Sequence, residues 1–235
     1  MKTSEQGIII NRISYSETSL ILKIFTLEHG LKSFLFQGAK KKKGIVLLPL
    51  SPIEFTYYQR DDSQLAKMHD ASLLYTFSEI PFHPIKSTIL FFKVEILSNV
   101  MHDGVKDPQL YGFIIEELKW LDNNNDYANY PIYWLLTLSN YLGFYPMRIE
   151  NRAPYFDLEN GEFSESTPNT FSYKTGYEVE LLHELIGKDK ETIASIKLTK
   201  DIRKKILSIL LNYFELHIPN FNHVNTIDVI ESIWE

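Results

Sequence analysis

The chain has no cysteine. This excludes disulfides, thiolate metal sites and cysteine nucleophiles, and it fits a reducing compartment. No apolar run approaches the ~18 residues of a membrane span. Met1 to Gln6 is polar where a signal peptide needs an apolar core. The expectation is a soluble, cytoplasmic protein. No repeat recurs at a solenoid period. Basic charge is also in deficit, with 24 Lys and Arg against 30 Asp and Glu, a net of −6.

Catalytic signatures are missing as well. Gly38 to Gly44 is not a P-loop, because Lys43-Gly44-Ile45 stands where Gly-Lys-Ser/Thr belongs. His183-Glu184 opens like a zincin helix, but Gly187 takes the second histidine's place. The seven histidines show no ligand spacing, and no Gly-x-Ser-x-Gly elbow occurs. Asp61-Asp62 is a carboxylate pair of the kind that turns commonly carry. No enzyme, metal or cofactor is expected.

What is present divides the chain in two. The 44% hydrophobic content supports a buried core. Ile8 to Ile13, Leu20 to Thr26, Leu31 to Gln37, Ile53 to Tyr58 and Leu65 to Leu73 are short β-prone segments. Turn signals separate them at Ser16-Glu17, His29-Gly30, Lys40 to Gly44 and Asp61-Asp62-Ser63. Five such strands suggest a small barrel of the OB or SH3-like kind. After Pro81 the period becomes helical. Ile85, Ile89, Phe92, Ile96 and Val100 line one face. A helix opened by Pro108 turns Leu110, Phe113, Ile114, Leu118 and Leu121 inward and Glu116, Glu117 and Lys119 outward. The tract 122–126 reads as a loop. Ile132 to Leu142 is apolar almost all round and reads as a central helix, stopped at Gly143 to Pro146. Residues 147–176 are irregular, with a β-ribbon turning at Asn160-Gly161. Helices follow at Val179 to Ile186, over Ile202 to Leu216, and after Thr226. The fold class is α+β, with a barrel domain at 1–80 and a helical domain at 81–235.

Charge is distributed unevenly between these parts. Residues 1–70 hold ten basic and seven acidic side chains, and residues 71–235 hold fourteen and twenty-three. Binding is local because salt screens charge within about 10 Å, so the basic front part is where a polyanion would bind. Lys40, Lys41, Lys42 and Lys43 lead the candidates for phosphate contact, since a run of flexible ammonium groups neutralises phosphates without reading bases. Lys32, Arg12 and Lys23 lie on or beside the same strands and serve either phosphates or edge protection. Phe34 and Phe36 share a strand face, either as core or as base-stacking rings. Tyr57 and Tyr58 point to opposite faces, so only one of them is core.

Tyr15-Ser16-Glu17-Thr18-Ser19-Leu20, then Phe25-Thr26, Gly30, Gly38-Ala39-Lys40, Pro49-Leu50 and Leu142-Gly143-Phe144-Tyr145-Pro146 follow one another in an order that resembles the bacterial recombination mediator family RecO. The resemblance implies an N-terminal OB-fold followed by a helical domain. It implies binding of single- and double-stranded DNA, annealing of complementary strands and assistance to RecA on coated single strands. It implies partnership with RecR and with the acidic, aromatic-ended tail of the single-strand-binding protein, in the cytoplasm beside the nucleoid. A pocket for that tail needs a cation beside an apolar helix face, for which Lys93, Lys119 and Arg148 are candidates. Many family members carry a four-cysteine zinc module. Here 147–168 has neither cysteine nor histidine, and the ribbon is expected to be held by Tyr155, Phe156 and Phe163 instead. Two other readings stand beside this one: a metal-dependent nucleic-acid enzyme, and an adaptor whose lysines meet an acidic protein.

Overall fold

One strand is shared by two neighbours. Strand β1 (Lys2–Ser14) pairs antiparallel with β2 (Leu20–Thr26) along its second half and with β4 (Pro52–Tyr58) along its first. Gly7 faces both, opposite Thr26 and Ile53. A Cβ there would lie 2.3 Å from Ile24 Cγ2 and 3.2 Å from the Phe55 ring, so only glycine lets β1 curl between the two. The computed structural model describes residues 2–39, 47–58 and 65–233. Within it the chain forms two compact units, Met1–Asn123 and Asn124–Glu235.

In the first unit β2 continues into β3 (Gly30–Phe36), and β3 pairs in parallel with β5 (Ala66–Leu73). β4 fills the gap between β5 and β1, closing a barrel of order β1-β2-β3-β5-β4. An SH3-like meander keeps consecutive strands adjacent. The jump from β3 to β5 is instead the Greek-key route of an OB-fold. Phe34, Phe55 and Tyr57 meet inside, with ring centroids 4.8 to 5.9 Å apart. Glu5 is buried at one end and accepts hydrogen bonds from His29 Nδ1 (2.6 Å) and the Glu28 amide (3.3 Å).

Helices α1 (Pro84–Val100) and α2 (Pro108–Asn123) complete this unit. α1 packs on β1, and Tyr111 of α2 lies 6.0 Å from the Phe25 ring on β2. The tract from 122 is not wholly loop, because α2 runs through Asp122. The Asp122 carboxylate is buried and accepts from Tyr75 Oη, from the amides of Ser78, Glu79 and Ile80, and from Ser78 Oγ, at 2.8 to 3.1 Å. Lys86 Nζ donates to the Asp122 carbonyl at 2.9 Å. Glu117 is buried rather than outward, because α2 is enclosed on more than its apolar stripe.

In the second unit α3 (Tyr130–Tyr141) is the buried helix, packed by α5 (Lys190–Ser195) and α6 (Lys200–His217). Asn129 Nδ2 donates to the carbonyls of Ile193 and Ile196. Asp189 and Thr199 cap α5 and α6 through their side-chain oxygens. α4 (Tyr177–Leu185) and α7 (Thr226–Ile233) match the short helices expected. The ribbon is β6 (Tyr155–Asp157) and β7 (Glu162–Ser164), turning at Gly161 with φ 69°. A third strand, β8 (Tyr173–Thr175), pairs with β6 inside the stretch that reads as irregular from sequence.

A four-cysteine zinc site does not fit this ribbon, since the chain offers no thiolate. Rings do the holding. Phe156 stacks on Phe163 at 4.4 Å and meets Tyr213 at 5.2 Å, and Tyr213 meets His217 at 4.3 Å. Tyr213 donates to the Phe144 carbonyl at 2.6 Å, and burial pushes its phenol up to about 12. His183 and His217 each place Nε2 about 3 Å from a carbonyl, of Ile149 and Leu158. A carbonyl only accepts, so each Nε2 carries the proton. Tyr155 stands apart from this stack, against Tyr173.

Candidate nucleic-acid interface

Lys40, Lys41, Lys42 and Lys43 lie outside the described residues. The chain around them is anchored. Gly38 turns at φ 70° after β3, Leu47 is buried, and Leu50 at φ 58° donates to the Ile9 carbonyl at 2.7 Å. Arg12 is exposed on β1, and its Nη1 donates to the Leu47 carbonyl at 2.8 Å. One of its five N–H donors is thereby spent on holding the point where the lysine segment returns to the barrel.

Lys23 faces outward on β2 and pairs with Asp103 at 3.4 Å, with both side chains well exposed. Such a pair holds at most about 1 kcal/mol, so a phosphate could displace it. Lys32 borders a cleft of ≈ 340 Å³ lined also by Leu31, Ser33, Phe34, Asp103 and Gly104. This cleft lies beside the place where Asp103 bridges in parallel to Leu31. The Asp103 carboxylate therefore accompanies both lysines on the β2–β3 side and weakens that side for a polyanion.

The stacking candidates separate cleanly. Phe34 and Phe36 are each 1% exposed and Tyr57 is 4% exposed. All three belong to the barrel core and cannot receive a base. The alternation that puts Phe34 and Phe36 on one face points that face inward. Tyr58 is 46% exposed on the outer wall. Among the cations considered for a partner peptide, Lys93 is fully buried and cannot meet one. Lys119 lies over the Tyr75 ring at 5.8 Å, and Arg148 is exposed.

Register reveals residues that sequence reasoning missed. Tyr58 is directly opposite Lys2 on β1 and Lys67 on β5, and both lysines are exposed. The β4–β5 ladder slips by one residue between Thr56 and Tyr57, so the register passes from Asp70 to Met68 over His69. A bulge of this kind re-aims its side chain, and the His69 ring meets Tyr58 edge-on at 6.1 Å and 74°. The opposite end of β1 offers Tyr15, 62% exposed on a turn fixed by the Ser16 hydroxyl, which accepts from the amides of Thr18 and Ser19. No local sequence signal joins Lys2, Tyr58 and Lys67, because 65 residues separate the first from the last.

The closed order β1-β2-β3-β5-β4 defines the OB-fold class of barrel, here with exposed rings and lysines on its outer wall. Comparison with known proteins gives the family. The family model described as Recombination protein O N terminal matches residues 1–77, and that described as Recombination protein O C terminal matches residues 82–225. The chain is 31% identical to the DNA repair protein RecO of Flavobacterium psychrophilum over the whole of both chains. It is 29% identical to that of Christiangramia forsetii over 97% of this chain and 98% of the relative. With the protein of Phocaeicola vulgatus it shares 28% over 97% of each. The chain belongs to the recombination protein O family, as a variant without the cysteines of a zinc module, and is a DNA repair and recombination protein.

Proposed function

We propose that this protein is a non-catalytic recombination mediator. It binds single- and double-stranded DNA without sequence preference, anneals complementary strands and assists RecA onto coated single strands. Residues 1–80 carry the DNA contacts. Residues 81–235, with their acidic excess, face RecR and the tail of the single-strand-binding protein. The protein works in the cytoplasm at the nucleoid. Among the described residues no helix is long and apolar enough to cross a membrane. The observation that carries the reading is the closed OB barrel in a chain of this family.

The test is incubation with labelled complementary oligonucleotides. Faster duplex formation without metal or nucleotide is the expected outcome. Strands shortened only when a divalent ion is added would instead mark a nuclease, and no retained DNA at all would leave the adaptor reading. Replacing Lys40, Lys41, Lys42 and Lys43 together with alanine lowers the salt slope of single-strand binding by about 3 if four phosphates are met there. An unchanged slope removes that segment from the interface.

A further inference from the structure

The geometry points to a nucleotide platform on the outer wall of the barrel, made by Lys2, Tyr58 and Lys67. One unpaired base stacks on Tyr58, and the phosphates on its two sides rest on the two lysines. This site rests on the DNA-binding reading and adds residues that neither composition nor motif supplies.

Three observations carry it. First, the three residues form one cross-strand row over β1, β4 and β5. Opposed Cβ atoms on neighbouring strands are about 5 Å apart, so the two lysine stems start roughly 10 Å apart with the ring between them. A cation on each side of an exposed ring is the arrangement that holds a base together with its flanking phosphates. Second, the ring is supported. His69, set out by the bulge, packs edge-on against it, which limits its rotamers while Tyr58 stays 46% exposed. Third, the described charges beside the ring are positive. Among the described residues neither Lys2 nor Lys67 has an ion-pair partner. The exposed carboxylates on β4 and β5, Glu54 and Asp70, lie four and three residues further along their strands, about 13 and 10 Å away. The β2–β3 side differs, because there Asp103 sits with the lysines.

Single strands suit the platform better than duplex, because a paired base presents no open face to a ring. Stacking does not read hydrogen bonds, so base identity has little influence.

The test uses the full chain and a short fluorescent oligonucleotide, as single strand and as duplex. Tyr58→Leu weakens single-strand binding about tenfold, within the range for loss of one stacked base, and leaves duplex binding unchanged. Tyr58→Phe retains affinity, because stacking needs the ring and not the hydroxyl. Lys2→Gln with Lys67→Gln lowers the single-strand salt slope by about 1.4, as expected for two phosphates. All three positions are exposed, and an unchanged melting curve shows that each variant is folded. Wild-type affinity in Tyr58→Leu, or an equal loss on duplex, overturns the platform while DNA binding stands. A wild-type protein that retains no single strand overturns both.

Discussion

The chain contains two small β systems that are held shut by different means. The barrel closes on itself, so every strand has a neighbour on both sides and the ladder is continuous through β1-β2-β3-β5-β4. The ribbon has three strands of three residues each, too few backbone bonds to persist alone. It depends on rings from elsewhere in the second unit, Tyr213 and His217 of α6 and Phe144 after α3. Closure distributes stability over a backbone ladder, whereas a stack concentrates it in a few side chains. The ribbon should therefore be the more sensitive to single substitutions and to pH.

The largest expected effect follows from that contrast. Phe156→Ala removes the centre of the stack and costs the second unit about 3–5 kcal/mol. Hydrogen exchange should accelerate over 144–217 and stay slow in β1 to β5. Acceleration in the barrel as well would break the comparison. Next comes Asp122→Ala, which leaves the amides of Ser78, Glu79 and Ile80 without their acceptor and costs the first unit about 3 kcal/mol. Chemical denaturation followed by a probe on that unit measures it. A loss below about 1 kcal/mol would mean that water replaces the carboxylate.

A smaller effect separates the units by pH. Burial holds the His183 imidazole below its ordinary value, outweighing the hydrogen bond to Ile149. The unfolded chain then binds a proton that the folded one refuses. Stability of the second unit falls as pH drops through about 6.5. Asp122 titrates elsewhere. Burial opposes its ionisation, but the amides of Ile80, Ser78 and Glu79 and the Tyr75 hydroxyl outweigh burial and keep its carboxyl below its ordinary value. Its contribution is full above the unfolded value near 4 and is lost only in stronger acid. Melting curves between pH 7 and 5 should move for the second unit, and His183→Gln should flatten that dependence. The smallest effect is at Lys23→Gln, which breaks an exposed pair and changes stability by less than about 1 kcal/mol.

Much of this architecture was legible in the sequence because strands and helices of ordinary length announce their period. All five barrel strands and the helices at 84–100, 108–123 and 200–217 were, except that β1 begins at Lys2 and not at Ile8, because its polar first half shows no apolar run. β8 and α5 were not, since three and six residues are too short to show a period. Buried charge also misled. Lysine and glutamate read as surface residues in a sequence because they are buried only where partners meet them, and Lys86, Lys93 and Glu117 are inside. The choice between OB and SH3-like barrels hung on the pairing of β3 with β5, which is a long-range fact. The candidate site was less legible for the same reason. Tyr58 was one of two neighbouring tyrosines that only burial could tell apart, and its lysines come from the two ends of the barrel sequence.

The sharing of β1 between two neighbours has a consequence for synthesis. Its second half can form a hairpin with β2 as soon as that segment leaves the ribosome. Its first half must wait for β4, some fifty residues later in the chain. At about 5–20 residues per second the delay is roughly 3–10 s. Throughout that time Lys2 to Ile8 presents a bare edge, and the lysine at its start is the kind of charge that discourages pairing with other nascent strands.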